Sequence, residues 1–276
     1  MSTNGAILRV FAILESAGTP NSPILPTVLY EEGWLLRIVL SLASDGIDCL
    51  PFKFATGARW LSEARLYSAF QARFKGDPLA ETHSHADGAV GHLGIGLDTK
   101  SGLMLNACGT QFVIIEAKIS SPLRGGTTRA KYFDQAARSV ACMAETIRRC
   151  GQPLDQWESL AFHAFAPQVK IDAGTFSREM TKDSIARKVE RRIGEYPPED
   201  QVDRIEFQQR WLVPLLDRLT LECVSWESII GRIRSHDVGI GNDVKTFYEK
   251  TLMYNDLPNG EVIEGNPRFG IVQVGR

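Results

Sequence analysis

The segment Phe112-Val113-Ile114-Ile115-Glu116-Ala117-Lys118-Ile119 constrains this chain more than any other. A strand with so many consecutive apolar residues is expected to be buried on both faces. Yet the run ends in a carboxylate and an ammonium two residues apart. Strand alternation puts Glu116 and Lys118 on the same side, about 7 Å apart along the chain. Burying unpaired charge is expensive. Either the strand emerges into water and the two form a surface ion pair, or something compensates them: a cation, a third charged group, or solvent in a cleft.

The remaining composition narrows the class. The chain has 276 residues, 43% hydrophobic and 23% charged. That is enough apolar mass for a sizeable core, and it excludes a disordered, collagen-like or disulfide-scaffold protein. Lys plus Arg total 31 and Asp plus Glu 33, a net charge of −2. No global basic bias advertises a nucleic-acid partner, although a local basic channel stays open. The five cysteines are irregularly spaced without a C-x-x-C pair, as expected for reduced thiols in the cytoplasm. The stretch 6–14 is short and interrupted by Arg9, unlike a signal peptide. No run approaches the roughly 20 apolar residues that span a bilayer, so no membrane association is expected.

Along the chain, apolar spacing predicts helices over 26–43 and 60–74. Strands are expected over 102–107, 111–119 and 157–169, with a first one near 86–97, and helices over 128–149 and 177–194. Helix, three strands, helix, strand, helix is an α/β order, with a crossover helix permitting parallel pairing of the last two strands. Past Pro197-Pro198 the pattern is mostly helical. This divides the chain into a core over 1–196 and an extension over 197–276 packed on it.

Three carboxylates outside the strand matter. Asp87, in His85-Ala86-Asp87-Gly88, sits at the mouth of the first strand. If the intervening strands form a meander, it lies beside Glu116. Two converging carboxylates repel each other and are best stabilised by a hard divalent cation. Glu32 falls on the apolar face of the first helix, with Glu31 to one side, and an unpaired Glu there is uncommon. Glu63 is a secondary acidic candidate.

With these residues the chain resembles the PD-(D/E)xK nuclease superfamily. Asp87, then Glu116-Ala117-Lys118 at the end of an apolar strand, then Gln135 in the next helix match its motif, and the element order matches its restriction-endonuclease-like αβββαβ core. Ala86 stands where a proline precedes the aspartate in the motif. The resemblance covers roughly residues 25–195 and is greatest to uncharacterised bacterial members. It implies a Mg²⁺- or Mn²⁺-dependent nuclease acting on nucleic acid, with DNA as the expected substrate. Asp87, Glu116 and the Ala117 carbonyl would hold the metal, joined by Glu32 from the first core helix. Lys118 would serve as electrostatic stabiliser or as base, a role that suits a lysine whose pKa is depressed by desolvation near a metal. Gln135 would position Lys118, the water or a phosphate.

Arg124, Arg129 and Lys131 follow the strand where a phosphate backbone would pass, and Arg138 lies one turn beyond Gln135. Arg178, Lys182, Arg187, Lys188, Arg191 and Arg192 are interspersed with Glu179, Asp183 and Glu190, as on a solvated mixed-charge face. His83, His85 and His92 do not have a familiar zinc spacing. His163, inside an apolar strand, reads as a hydrogen-bonded core histidine. Two alternatives stand beside the nuclease: a catalytically silent binding member of the same fold, and a metal hydrolase of another class using the histidines. A partner protein or a homodimer is left open.

Overall fold

The computed structural model describes residues 5–19, 21–81, 84–96, 102–123 and 130–255. Helix α1 (Gly5–Glu15) is followed by a 3₁₀ turn (Pro26–Val28) and α2 (Glu32–Ser44). Strands β1 (Arg59–Leu66), β2 (Ser84–Gly91), β3 (Leu93–Ile95), β4 (Leu103–Leu105) and β5 (Gln111–Ala117) come next. Helix α3 (Gln135–Cys150) crosses to β6 (Ser159–Ala166), and α4 (Gln168–Asp172), α5 (Lys182–Gly194) and α6 (Pro198–Phe207) follow. A π-helical turn (Gln208–Leu212) leads into α7 (Val213–Arg218), β7 (Thr220–Ser225), α8 (Trp226–His236) and α9 (Val238–Asn255). No helix among the described residues is long and apolar enough to cross a membrane.

Five strands form one mixed sheet in the order β1-β2-β5-β6-β7. The β1–β2 and β2–β5 pairs are antiparallel, and the β5–β6 and β6–β7 pairs are parallel. The α/β class expected from the sequence is therefore observed. Every residue of β5 is buried, because helices cover both faces of the sheet. Phe112 and Ile114 pack towards Val140, Met143 and Ile147 of α3. Val113, Ile115 and Ala117 pack towards Leu35, Leu36 and Leu40 of α2 and Trp226, Ile229 and Ile233 of α8.

Several elements differ from expectation. The helix predicted over 26–43 begins only at Glu32, because the Glu31 side chain caps it by accepting the Trp34 N–H; Pro26–Val28 forms a separate turn. The segment predicted as a helix over 60–74 contains the edge strand β1. Its Leu, Glu, Ala and Arg residues favour a helix, but pairing with β2 over Arg59↔Gly91 to Leu66↔Ser84 overrides that weak preference. The predicted meander is also absent: β3 and β4 form their own two-stranded ribbon, so β2 and β5 are direct neighbours. The α3 and α5 helices start later than expected, at the capping side chains of Asp134 and Thr181. The region past Pro197-Pro198 supplies a sheet strand, β7, that the helical pattern missed.

Two glycines permit this geometry. Gly91 ends β2 at φ +148°, where a Cβ would lie 2.1 Å from the Gln111 carbonyl oxygen. Gly88 lets α2 approach the sheet, since a Cβ there would meet Leu36 and Leu40 at 3.0 and 3.1 Å.

His163 is buried in β6 as expected, but one of its ring nitrogens lacks the expected hydrogen bond. Its Nδ1 is buried without a hydrogen-bond partner among the described residues. Its ring stacks on Phe52, and the half-exposed Glu222 carboxylate is 3.7 Å away. Burial pushes its pKa down to about 4 from 6.5. Below its ordinary value the unfolded chain takes up a proton that the folded chain refuses. The stability this residue supports is thus complete above pH 6.5 and is lost as pH falls towards 4. Between about pH 7 and pH 5 the stability of the wild type should fall by about 2 kcal/mol relative to His163→Phe. Urea unfolding of both proteins at each pH measures this, and parallel pH dependences would show that His163 is not held neutral.

Candidate active site

The candidate site lies where β2 and β5 separate. Their ladder ends at Gly88↔Ile115, one residue short of Asp87, while β5 continues its parallel pairing with β6 through Ala117↔Phe165. The Ala117 N–H would otherwise lack a partner on the β2 side. Asp87 Oδ2 accepts it at 2.8 Å. A strand residue's N–H and C=O point to the same edge, so the Ala117 carbonyl also faces the Asp87 side. On the opposite edge the Lys118 N–H donates to the Phe165 carbonyl and the Lys118 carbonyl accepts from Trp226 Nε1 at 3.0 Å. The end of β5 is therefore fixed by β2, β6 and α8 together.

The charges at this strand end do not emerge into water. Glu116 is 1% exposed and Lys118 5%, which rules out the surface ion pair. Lys118 Nζ lies 3.3 Å from Glu116 Oε2 and 3.4 Å from Asp87 Oδ2, bridging the two carboxylates. Helix α3 completes the shell of Glu116: Gln135 Nε2 donates to Oε2 at 3.3 Å, and Ser139 Oγ donates to Oε1 at 3.0 Å. Burial and the neighbouring Asp87 raise the Glu116 pKa, against the lowering effects of Lys118 and Ser139. For Lys118, burial acts downward, but Asp87 and Glu116 outweigh it and the net shift is upward. The two carboxylates hold the proton on Nζ against the burial that would remove it.

A second ring of charge surrounds this centre. Glu32, at the start of α2, has its pKa raised chiefly by burial, and both Lys118 and Asp87 act on it. Glu31 caps the same helix and pairs with Arg37 at 3.5 Å. Glu63 stands opposite Asp87, between the paired positions Ser62↔Gly88 and Ala64↔Ala86. Its backbone takes φ +53°, an uncommon conformation for a residue with a side chain. Its carboxyl is shifted upward by burial and by Asp87 and pairs with Arg37 at 3.4 Å. Arg37 in turn donates to Ser62 Oγ at 3.0 Å.

Asp87, Glu116, Ala117, Lys118, Gln135 and Glu32 are thus gathered in one region, although Asp87 lies within the second strand rather than at the mouth of the first. Lys131 is exposed on the approach to α3. Arg138 acts elsewhere: its charge is felt at Glu81 and Cys142, and its Nε is buried. Arg124, Arg129 and His83 lie outside the described residues. His85 is exposed on β2. His92 is occupied by the Thr56 carbonyl and the Thr110 N–H. Sequence reasoning missed Ser139, yet a signal was present, since it falls four residues after Gln135 on the same helical face.

Among the described residues, no group of three or more His, Cys, Asp or Glu side chains is arranged to hold a metal ion. The donor chemistry nonetheless fits a hard divalent cation. Such an ion takes one or two protein carboxylates and keeps several waters, and Asp87 and Glu116 here both reach one buried ammonium. No family model matches the chain, and no curated protein or solved structure is significantly similar to it.

Removing Lys118 would leave Glu116 and Asp87 close together with their mutual repulsion uncompensated. Lys118→Met is expected to destabilise the fold by about 3 kcal/mol at neutral pH. Adding Glu116→Gln, which keeps acceptor and donor groups for Ser139 and Gln135, should recover most of that loss. A double-mutant cycle by urea unfolding measures the coupling, and additive effects would show that the two residues do not compensate each other.

Proposed function

We propose that this protein is a divalent-metal-dependent nuclease that hydrolyses phosphodiester bonds, with DNA as the expected substrate. The observation that carries the reading is the fully enclosed Glu116, brought to Asp87 around the Lys118 ammonium where two core strands diverge. Strongly shifted titratable groups in one place mark functional sites more often than structural ones.

In this reading Asp87, Glu116 and the Ala117 carbonyl hold Mg²⁺ or Mn²⁺, with Glu32 beside them. When bound, the ion polarises a phosphoryl oxygen and lowers the pKa of a coordinated water. Lys118 would either take the proton of the attacking water or offer positive charge where the phosphoryl group gains negative charge. Gln135, whose Nε2 donates to Glu116 Oε2, would position Lys118, the water or a phosphate oxygen. Ser139 fixes the Glu116 rotamer, so the carboxylate needs no reorganisation when substrate arrives.

One observation favours a catalytically silent binding member of the same fold: both Glu116 oxygens already accept bonds from this chain's own side chains. The two readings separate in a single experiment. Plasmid, linear duplex and single-stranded DNA, and RNA, are incubated with Mg²⁺ or Mn²⁺. The nuclease reading expects cleavage that stops with chelator and resumes when metal is restored. It also expects Asp87→Ala, Glu116→Ala and Lys118→Ala each to lower the rate by about 100-fold or more, with folding verified by circular dichroism. Cleavage that survives all three substitutions overturns the assignment of the site. Absence of cleavage on every substrate leaves the silent binding protein.

A further inference from the structure

We propose that the cleft between the segment entering α3 and the N-terminal end of α5 binds the phosphodiester backbone of a nucleic acid. The inference deepens the nuclease reading, since the bound polymer would be its substrate. The cleft measures about 600 Å³, and its charged lining comprises Lys131, Asp134, Arg178, Glu179, Arg187 and Lys188. Asp134 is already committed: it caps α3 through the Ala137 N–H and takes Lys188 Nζ at 2.5 Å. That leaves three cations, Lys131, Arg178 and Arg187, against one carboxylate, and all three are exposed. The mixed-charge face expected of α5 is thus sorted by the fold, which turns Arg187 and Lys188 towards Arg178 and Lys131.

Three features suit phosphate. Thr181 lines the same cleft; its Oγ1 accepts the Ser184 N–H and its O–H can donate to a phosphoryl oxygen. Thr181 caps α5, a helix of 13 residues, whose positive end adds to the field. The guanidinium of Arg191 stacks 3.7 Å from the Tyr132 ring centre, and Tyr132 is itself part of the lining. Position decides between a small anion and a polymer. Asp134 is adjacent to Gln135, which bonds Glu116, so the cleft opens beside an acidic centre that repels a lone anion. A chain of phosphodiesters can place one phosphate in the cleft and the next ester at the carboxylates.

The test uses the full chain carrying Asp87→Asn, in chelator, so that binding is read without cleavage. Fluorescence anisotropy follows labelled duplex DNA, single-stranded DNA and RNA of one sequence across a salt series. Arg178→Glu with Arg187→Glu is expected to weaken binding of the preferred polymer by at least about tenfold. It should also reduce the slope of log K against log salt by about two. Arg178→Gln with Arg187→Gln should show a smaller loss in the same direction. Arg210→Glu with Lys245→Glu changes net charge equally on surfaces away from the cleft and should leave the slope unaltered. The proposal is overturned if no polymer binds, if both charge-reversal pairs weaken binding equally, or if the slope does not change. A cleft that binds as described in a protein that never cleaves would end the nuclease reading alone. Cleavage that depends on Asp87 but ignores Arg178 and Arg187 would end the cleft alone.

Discussion

The structure turns on a carboxylate removed from water at the end of its central strand. Taking Glu116 out of solvent costs several kcal/mol, and that cost is offset only by groups delivered from separate elements. Lys118 comes from the continuation of β5, held also by Asp87 of β2, and Gln135 and Ser139 come from successive turns of α3. Satisfying one side chain therefore specifies a strand register, a helix rotation and the point where two strands part. Stability alone does not reward this design, because well-packed apolar residues often replace buried ion clusters without loss. That is consistent with the cluster being the site proposed above.

The change from antiparallel to parallel pairing across β5 is what makes room for it. On the β6 side the ladder runs to the end of the strand; on the β2 side it stops two residues earlier. The resulting gap leaves the Ala117 N–H without a ladder partner on the β2 side, and Asp87 fills it by accepting that N–H. Gly88, next in sequence, lets α2 come close and carries Glu32 into range of the same charges. Local backbone rules and side-chain chemistry thus meet at two consecutive residues.

What could be read from sequence was what depends on short, strong patterns. The apolar run of β5 identified a doubly buried strand, and its terminal charges marked the place where chemistry had to be explained. Asp87, Glu32 and Gln135 joined it in space as expected. β1 could not be read, because Trp60-Leu61-Ser62-Glu63-Ala64-Arg65-Leu66 carries helix formers and only the partner strand makes it extended. β7 escaped for a related reason: six residues between helical stripes give too little periodicity to separate from their surroundings. The left-handed backbone at Glu63 left no trace in composition. The sorting of α5 charges was likewise invisible, since a helix with interspersed signs acquires a polarity only when its buried face is known.

Charge balance connects the acidic centre to its surroundings. Among the described residues, Glu31, Glu32, Glu63, Asp87 and Glu116 act on one another directly or through shared neighbours, with Arg37 and Lys118 as the permanent cations set between them. Such a surplus of negative charge repels a phosphodiester unless two conditions hold. A cation must offset the carboxylates at the reacting ester, and the flanking phosphates must be held by positive charge placed to one side. In the proposed reading the cleft lined by Asp134 would supply the second in a protein whose total charge is close to neutral. Affinity for a polyanion then requires no basic composition, only a segregation of signs across one helix N-terminus, with acids on the sheet side of α3 and bases on the α5 side. If the proposed binding holds, the same segregation would make it steep in salt and confine it to ligands long enough to reach from one side to the other.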